Sequence, residues 1–310
     1  PKDYPAECFS SGSFCLMNSL FDKKSAVPVG VSRVVVYVPI SQTKGSFMNC
    51  LVSVIVPVCN VETYLEQALN TLKSQTLCDI EVICVDDGST DNTVNLIKKF
   101  KEKYSAKIYV EECDNIGPKR SFLSLICNTE DNCEYYALSD QDDIWDQEKL
   151  ICAINKIKEE NANFPLIYGS PVRILDNGID GGVAFTRIGC KEYCLEDFLI
   201  KNYYPGCTMV FNKALLQIIQ KHNNLGLMPY PLHDHWINLV CTACGGKVIF
   251  DDIPHMWYRQ HGNNVIGAYR SIYIRIKENG LFSDECLRSR TVNDLVNKYE
   301  DTLDEKNKII

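Results

Sequence analysis

Asp140, Asp142 and Asp143 place three carboxylates within four residues, in the run Ala-Leu-Ser-Asp-Gln-Asp-Asp-Ile-Trp at 137–145. Carboxylates this close repel one another unless a cation or solvent offsets their charge. Mg2+ and Mn2+ favour such hard oxygen donors and commonly share them with the phosphates of a substrate. The competing reading is a solvated acidic turn, because Asp is common in turns. A second acidic pair, Asp86 and Asp87, lies in Val-Asp-Asp-Gly-Ser-Thr-Asp at 85–91. An acid after a second strand can accept from a base N–H or a ribose hydroxyl. The turn at Gly88 leads into a helix start that suits anions. A tight capped turn explains the same residues.

Chemistry at these acids requires elements whose ends meet. Tyr135–Leu138 reads as a buried strand delivering residues 140–143 to a sheet edge. The C-terminal edge of an open α/β sheet is where ligands bind. Leu51–Val58, Ile80–Val85 and Lys107–Val110 read as further strands. Between them, Glu62–Gln75 carries Tyr64, Leu65, Ala68, Leu69 and Leu72 at helical spacing. A second helix covers Asp91–Tyr104, with Ser89 as its N-cap and Asp91 in its first turn. Pro118–Cys127 is a third. Alternating strands and helices imply a mostly parallel sheet flanked by helices on both faces. Beyond Trp145 the pattern predicts a helix to about Glu160, a strand over Leu166–Leu175, and a turn at Asp176-Asn177-Gly178. A short helix at Leu195–Lys201 and a strand at Cys207–Phe211 follow, the latter leading into a helix to Lys221. A helix over His233–Cys244 and a strand at Lys247–Phe250 complete a mixed second half. No GxGxxG follows the first strand, which disfavours a dinucleotide dehydrogenase.

The chain has 310 residues, 45% of them hydrophobic and 23% charged, an ordinary globular balance. Its net charge of -8 argues against nucleic-acid binding. The longest apolar runs are far too short to span a bilayer, and no secretory signal is visible. The sixteen cysteines sit mostly inside apolar segments, where free Cys packs as a small hydrophobe. Cys241-Thr242-Ala243-Cys244 has redox or zinc spacing but no second pair to complete it. A reducing cytoplasm fits this usage, with peripheral contact at the inner face of the cell membrane left open. Residues 1–48, rich in Ser, Pro and Val with a strand at Val34–Ile40, read as an extension of unknown role. Residues 49–268 read as one catalytic domain and 269–310 as a charged, helix-prone tail.

Val-Ser-Val-Ile-Val-Pro-Val at 52–58, Asn60, Gln75-Thr76 and the 85–91 run together resemble the glycosyltransferase family 2 catalytic domain, which has the GT-A fold. The likeness covers Val52 to about Gly267. Residues 138–145 are similar to the variant DxD motif of that family's rhamnosyltransferase-like branch, and 206–212 and 258–264 resemble the same branch.

The resemblance implies an inverting, metal-dependent glycosyltransferase. The donor would be dTDP-rhamnose or a UDP-sugar, and the acceptor a surface polysaccharide or lipid-linked glycan. It implies that Pro57, Asn60, Asp86 and Asp87 line the nucleoside pocket, with Asp87 accepting from the pyrimidine N3–H. Lys119 or Arg120 would contact base or diphosphate, Asp140 and Gln141 would lie along the ribose, and Arg259 would bind phosphate. Asp142 and His261 would hold Mg2+ or Mn2+, with Asp143 in support. Asp234 occupies the position of the catalytic base. His233 and His235 would orient Asp234, bind acceptor, or lie at the surface. Trp236, with Trp257 and Tyr258, would form a sugar platform or pack in the core. A nucleotidyltransferase and a non-catalytic sugar-nucleotide-binding subunit are the competing functions.

Overall fold

A computed structural model describes residues 51–77, 79–104, 108–112, 115–187, 192–222, 232–261 and 289–308. The expected extension at 1–48 and most of the 269–310 tail lie outside these residues. Seven strands form the main sheet, in spatial order β10-β6-β9-β4-β1-β2-β3. They are β1 (Val52–Val58), β2 (Ile80–Asp86), β3 (Ile108–Glu112), β4 (Tyr135–Leu138), β6 (Leu166–Gly169), β9 (Val210–Asn212) and β10 (Lys247–Phe250). β9 runs antiparallel to both its neighbours, while β1–β2, β1–β4, β2–β3 and β6–β10 pair in parallel. This is the expected mostly parallel sheet with a mixed second half.

Strand alternation sends successive side chains of β1 to opposite faces. Val52, Val54, Val56 and Val58 pack with Leu65, Leu69, Ile97, Leu150 and Ile154. These belong to α1 (Leu65–Lys73), α2 (Thr93–Tyr104) and α4 (Lys149–Lys158). Ile55 faces the other layer with Phe122, Leu215, Trp236 and Leu295. That layer contains α3 (Pro118–Asn128), α6 (Lys213–Lys221), α7 (His233–Ala243) and a helix α8 at 289–299. A short helix α5 (Leu195–Ile200) packs its Phe198 there too. Beyond α8, Asp304 N and Asn307 Nδ2 donate to the Ala243 carbonyl, satisfying an acceptor that α7 leaves open at its end.

The sequence reading differs from the structure at three points. The predicted strand Leu166–Leu175 is two strands in two sheets, broken at Ser170-Pro171, where proline removes a ladder donor. Its second half, β7 (Val172–Asp176), joins a small sheet ordered β5-β11-β7-β8 with β5 (Ile144–Trp145), β8 (Ile179–Ala184) and β11 (Met256–Gln260). β8 and β11 carry no strong periodic signal; β8 has five successive exposed residues. The predicted turn at 176–178 joins β7 to β8, with positive φ at Asn177 and Gly178 as a tight hairpin turn needs. Finally, Ser89 does not cap α2. Its hydroxyl accepts from Asn60 N at 2.9 Å, whereas Asp91 Oδ1 accepts from Thr93 N at 3.0 Å.

Candidate functional site

The C-terminal ends of β1, β2 and β4 converge with the end of β11 and the start of α7. Ile55 O accepts from Ser139 N, so odd-numbered residues of β1 aim their backbone groups toward β4. Pro57 follows on that side after β4 has ended, where its missing N–H costs no ladder bond. Two residues on, the Gln141 side chain continues the ladder. Its Oε1 accepts from Cys59 N at 2.5 Å and its Nε2 donates to Cys59 O at 3.2 Å. The acidic motif is thereby fastened to the end of β1. Asn60, at positive φ, accepts from Thr90 N at 2.8 Å and joins the β1 and β2 ends.

Asp87 is buried, and its carboxylate accepts from Ile116 N at 2.7 Å and Gly117 N at 2.9 Å. It is thus a latch for the loop that opens α3. Each carboxylate oxygen can accept a second bond. Asp86 Oδ2 accepts from Ser89 N at 2.9 Å, and its Oδ1 is buried with no hydrogen-bond partner among the described residues. A buried orphan acceptor signals a missing donor. Lys119 is half-buried on the first turn of α3 and its charge is felt by His233, whereas Arg120 beside it is exposed.

Asp142 and Asp143 are buried and Asp140 is half-buried. Burial, then the charges of Asp142 and Asp234, push the Asp140 carboxyl up to about 7. His261, from beyond β11, meets Asp142 with Nε2 2.6 Å from Oδ2. Arg259 Nε donates to the Asp142 carbonyl at 3.0 Å, and Arg259 N to Asp143 Oδ1 at 3.4 Å. A carboxylate oxygen and an imidazole nitrogen at this separation form a donor set suited to Mn2+. Asp140, Asp143 and Cys207 form a second cluster, with ligand atoms within 4.8 Å of one another. That cluster fits a hard cation less well. Its thiol is held protonated by burial and by the neighbouring carboxylates, and the buried Lys149 ammonium lends it positive charge.

Asp234 opens α7 and is buried. Its Oδ1 accepts from His235 N at 2.8 Å; its Oδ2 accepts from Asn202 Nδ2 at 2.9 Å and Gly206 N at 3.0 Å. Burial raises the carboxyl to about 6 against these three bonds. Asn202 and Gly206 were not singled out by the sequence, although the 206–212 resemblance contains Gly206. A methyl on Gly206 would stand 2.9 Å from His233 Nε2 and 3.0 Å from Asp234 Cβ. Gly206→Ala should therefore cost about 1–3 kcal/mol of stability, as overpacking does. A denaturant midpoint equal to wild type would show that this loop has slack.

Neither flanking histidine is at the surface. His233 is buried and stacks on Phe122 with centroids 4.0 Å apart, and burial with the Lys119 charge lowers it to about 3. His235 turns away, its ring donating to the Phe198 carbonyl. Trp236 is fully buried in the α7 core, 6.1 Å from Tyr299, and forms no sugar platform. Tyr258 is also buried, and Trp257 lies under the Arg173 guanidinium. An apolar-patterned helix does not by itself reveal that its polar first turn is covered by another element.

The nine described cysteines are free thiols, Cys241 and Cys244 among them and buried. No helix among the described residues is long and apolar enough to cross a membrane.

Residues 53–218 match the Glycosyl transferase family 2 family. The chain is 30% identical over 255 residues to the dTDP-rhamnosyl transferase RfbG of Shigella flexneri, covering 78% of this chain and 83% of that protein. It is 31% identical over 121 residues to a poly(ribitol-phosphate) beta-glucosyltransferase of Bacillus spizizenii, covering 37% of this chain and 18% of that protein. Among solved structures, the fold is shared with S. aureus TarS 1-349 in complex with UDP, at a TM-score of 0.57 and 20% identity, covering 83% of this chain and 68% of that one. The same protein in complex with UDP-GlcNAc matches at a TM-score of 0.53 and 17% identity, covering 83% and 77%.

Proposed function

The chain belongs to glycosyl transferase family 2, with the GT-A fold, and from that premise we propose that it is an inverting, metal-dependent enzyme moving a sugar from a nucleoside diphosphate to a hydroxyl of a glycan or lipid-linked acceptor. The observation that carries this reading is the meeting of two unlike carboxylate environments at one sheet edge. Asp142 faces an imidazole at 2.6 Å, while Asp234 is raised to about 6 and lies within electrostatic reach of Asp140.

Asp142 and His261 would hold Mn2+ or Mg2+, which when bound offsets the charge of the departing diphosphate. Asp86, Asp87, Asn60 and Pro57 would bind the nucleoside, with the orphan Asp86 Oδ1 as a ready acceptor for a base N–H or hydroxyl. Asp140 and Gln141 would lie along the ribose, and Lys119 and Arg259 would lie by the phosphates, with Arg120 able to reach them from the surface. Asp143 would brace β11 through Arg259 N. Asp234 would take the proton from the acceptor hydroxyl as it attacks the anomeric carbon. A base whose ordinary value is moved toward neutrality is both ionised and proton-hungry at working pH. His233 and His235 would shape the wall behind it. The likeness to the Shigella flexneri rhamnosyl transferase favours a dTDP-rhamnose donor, with UDP-sugars next. With such donors the reaction would run in the cytoplasm, at or near the inner face of the membrane when the acceptor is lipid-linked.

Incubation with dTDP-rhamnose, UDP-glucose or UDP-GlcNAc and a hydroxyl acceptor, or water acting slowly in its place, should release nucleoside diphosphate with one donor, and more with Mn2+ than with EDTA. Release of pyrophosphate instead would favour a nucleotidyltransferase. Tight donor binding without turnover for any acceptor tried would favour a binding subunit.

A further inference from the structure

Tyr64, Gln67, Thr71 and Gln75 are spaced i, i+3, i+7 and i+11, which puts them on one stripe of α1 and its flanking residues. Tyr64, Gln67 and Thr71 reach the acidic motif or the β11 end, and Gln75 reaches Asp146, the residue that follows the motif. Gln75 Nε2 donates to Asp146 O at 2.7 Å, and Thr71 Oγ1 accepts from Trp145 N at 3.2 Å. Gln67 Oε1 accepts from Arg259 Nη2 at 2.7 Å. The Tyr64 ring has the Arg259 guanidinium 4.6 Å from its centroid and stacks with His261, centroids 5.3 Å apart and planes 23° from parallel.

We propose that Tyr64 is a positioning residue for the divalent-cation site, its ring holding Arg259 and His261 in place over Asp142. The proposal rests on the reading that Asp142 and His261 hold the ion. The hydrogen bond between those two side chains orients the imidazole in the metal-free site. With a cation held by both, the stack on Tyr64 would keep the ring plane, and the same ring would keep Arg259 on the Asp142 carbonyl. Ligand orientation by neighbours of this kind sets metal affinity. The phenol hydroxyl has no part in either contact, so a bare ring serves as well.

The test is Mn2+ binding to the free protein, with no donor present, followed by calorimetry or by the loss of the free-ion paramagnetic resonance signal. Tyr64→Ala, and Tyr64→Leu as a variant that fills the volume, should weaken Mn2+ binding about tenfold, the scale of losing one aromatic stack and one cation–π contact. Tyr64→Phe should bind Mn2+ as wild type does. The far-UV dichroism and thermal melt of the metal-free protein should stay close to wild type in all three, which general damage to α1 would not allow. Wild-type Mn2+ affinity in both the Ala and Leu variants overturns the proposal, and so does a Phe variant as weak as Ala. Asp142→Asn separates the two layers of the argument. If it binds Mn2+ as tightly as wild type, the ion lies elsewhere and the role of Tyr64 falls with that reading. If it loses Mn2+ while the Tyr64 variants keep it, only the positioning role fails.

Discussion

Asp234→Asn should lower turnover by about a hundredfold or more, the usual scale for removing a general base, with nearly unchanged affinity for the nucleotide sugar. The amide can still accept from Asn202 and Gly206 through one oxygen, so the fold around α7 should persist. It places an NH2 opposite His235 N, which loses its acceptor, and a thermal melt checks that this cost stays local. The wild-type rate should rise with pH through about 6. Burial favours the protonated carboxyl below that value, and only the carboxylate can take the proton. The Asn variant should lose this limb of the profile. A variant that transfers sugar at the normal rate would remove Asp234 from the mechanism, and His233, whose buried Nε2 has no hydrogen-bond partner among the described residues, would be tested next.

Asp142→Asn should keep the fold and lose most metal-dependent donor binding. Even partners that only orient a ligand cost 10–100-fold in metal affinity, so loss of a direct carboxylate should reach about a hundredfold. The amide can still hydrogen-bond His261, which makes the substitution a test of charge and coordination rather than of packing. Calorimetry of donor binding with Mn2+ and with EDTA should give two affinities in the wild type and nearly one in the variant. An unchanged metal-dependent increment would exclude Asp142 as a ligand and turn attention to Asp140, Asp143 and Cys207, the neighbouring cluster.

The expected strands and helices around these residues were readable because their signal is local. The apolar runs of β1, β2 and β4 are buried on both faces, and α1 repeats its apolar side chains every three or four residues, so each element declares itself without its neighbours. The acids after β2 and β4 must then share a sheet edge, since parallel crossovers gather strand ends on one side. Likewise the combination of short motifs was enough to suggest the family. What lies outside that local information is partnership between distant segments. His261 meets Asp142 across 119 residues, and Arg259 meets its carbonyl across 117. Arg259 lies on β11 and His261 just beyond it; β11 is a strand of mixed burial in a sheet with a two-residue member, where pairing rather than periodicity makes the strand. Tyr64 reads as one more apolar residue of α1 until β11 is laid against it. Gly206 is only one residue of the 206–212 resemblance until α7 brings His233 and Asp234 within a methyl's reach. Residue types and local periodicity already say which side chains can do chemistry and which elements carry them. Tertiary packing decided which of them meet, because a buried contact is set by the faces two elements present to each other, and neither face is written in one segment alone.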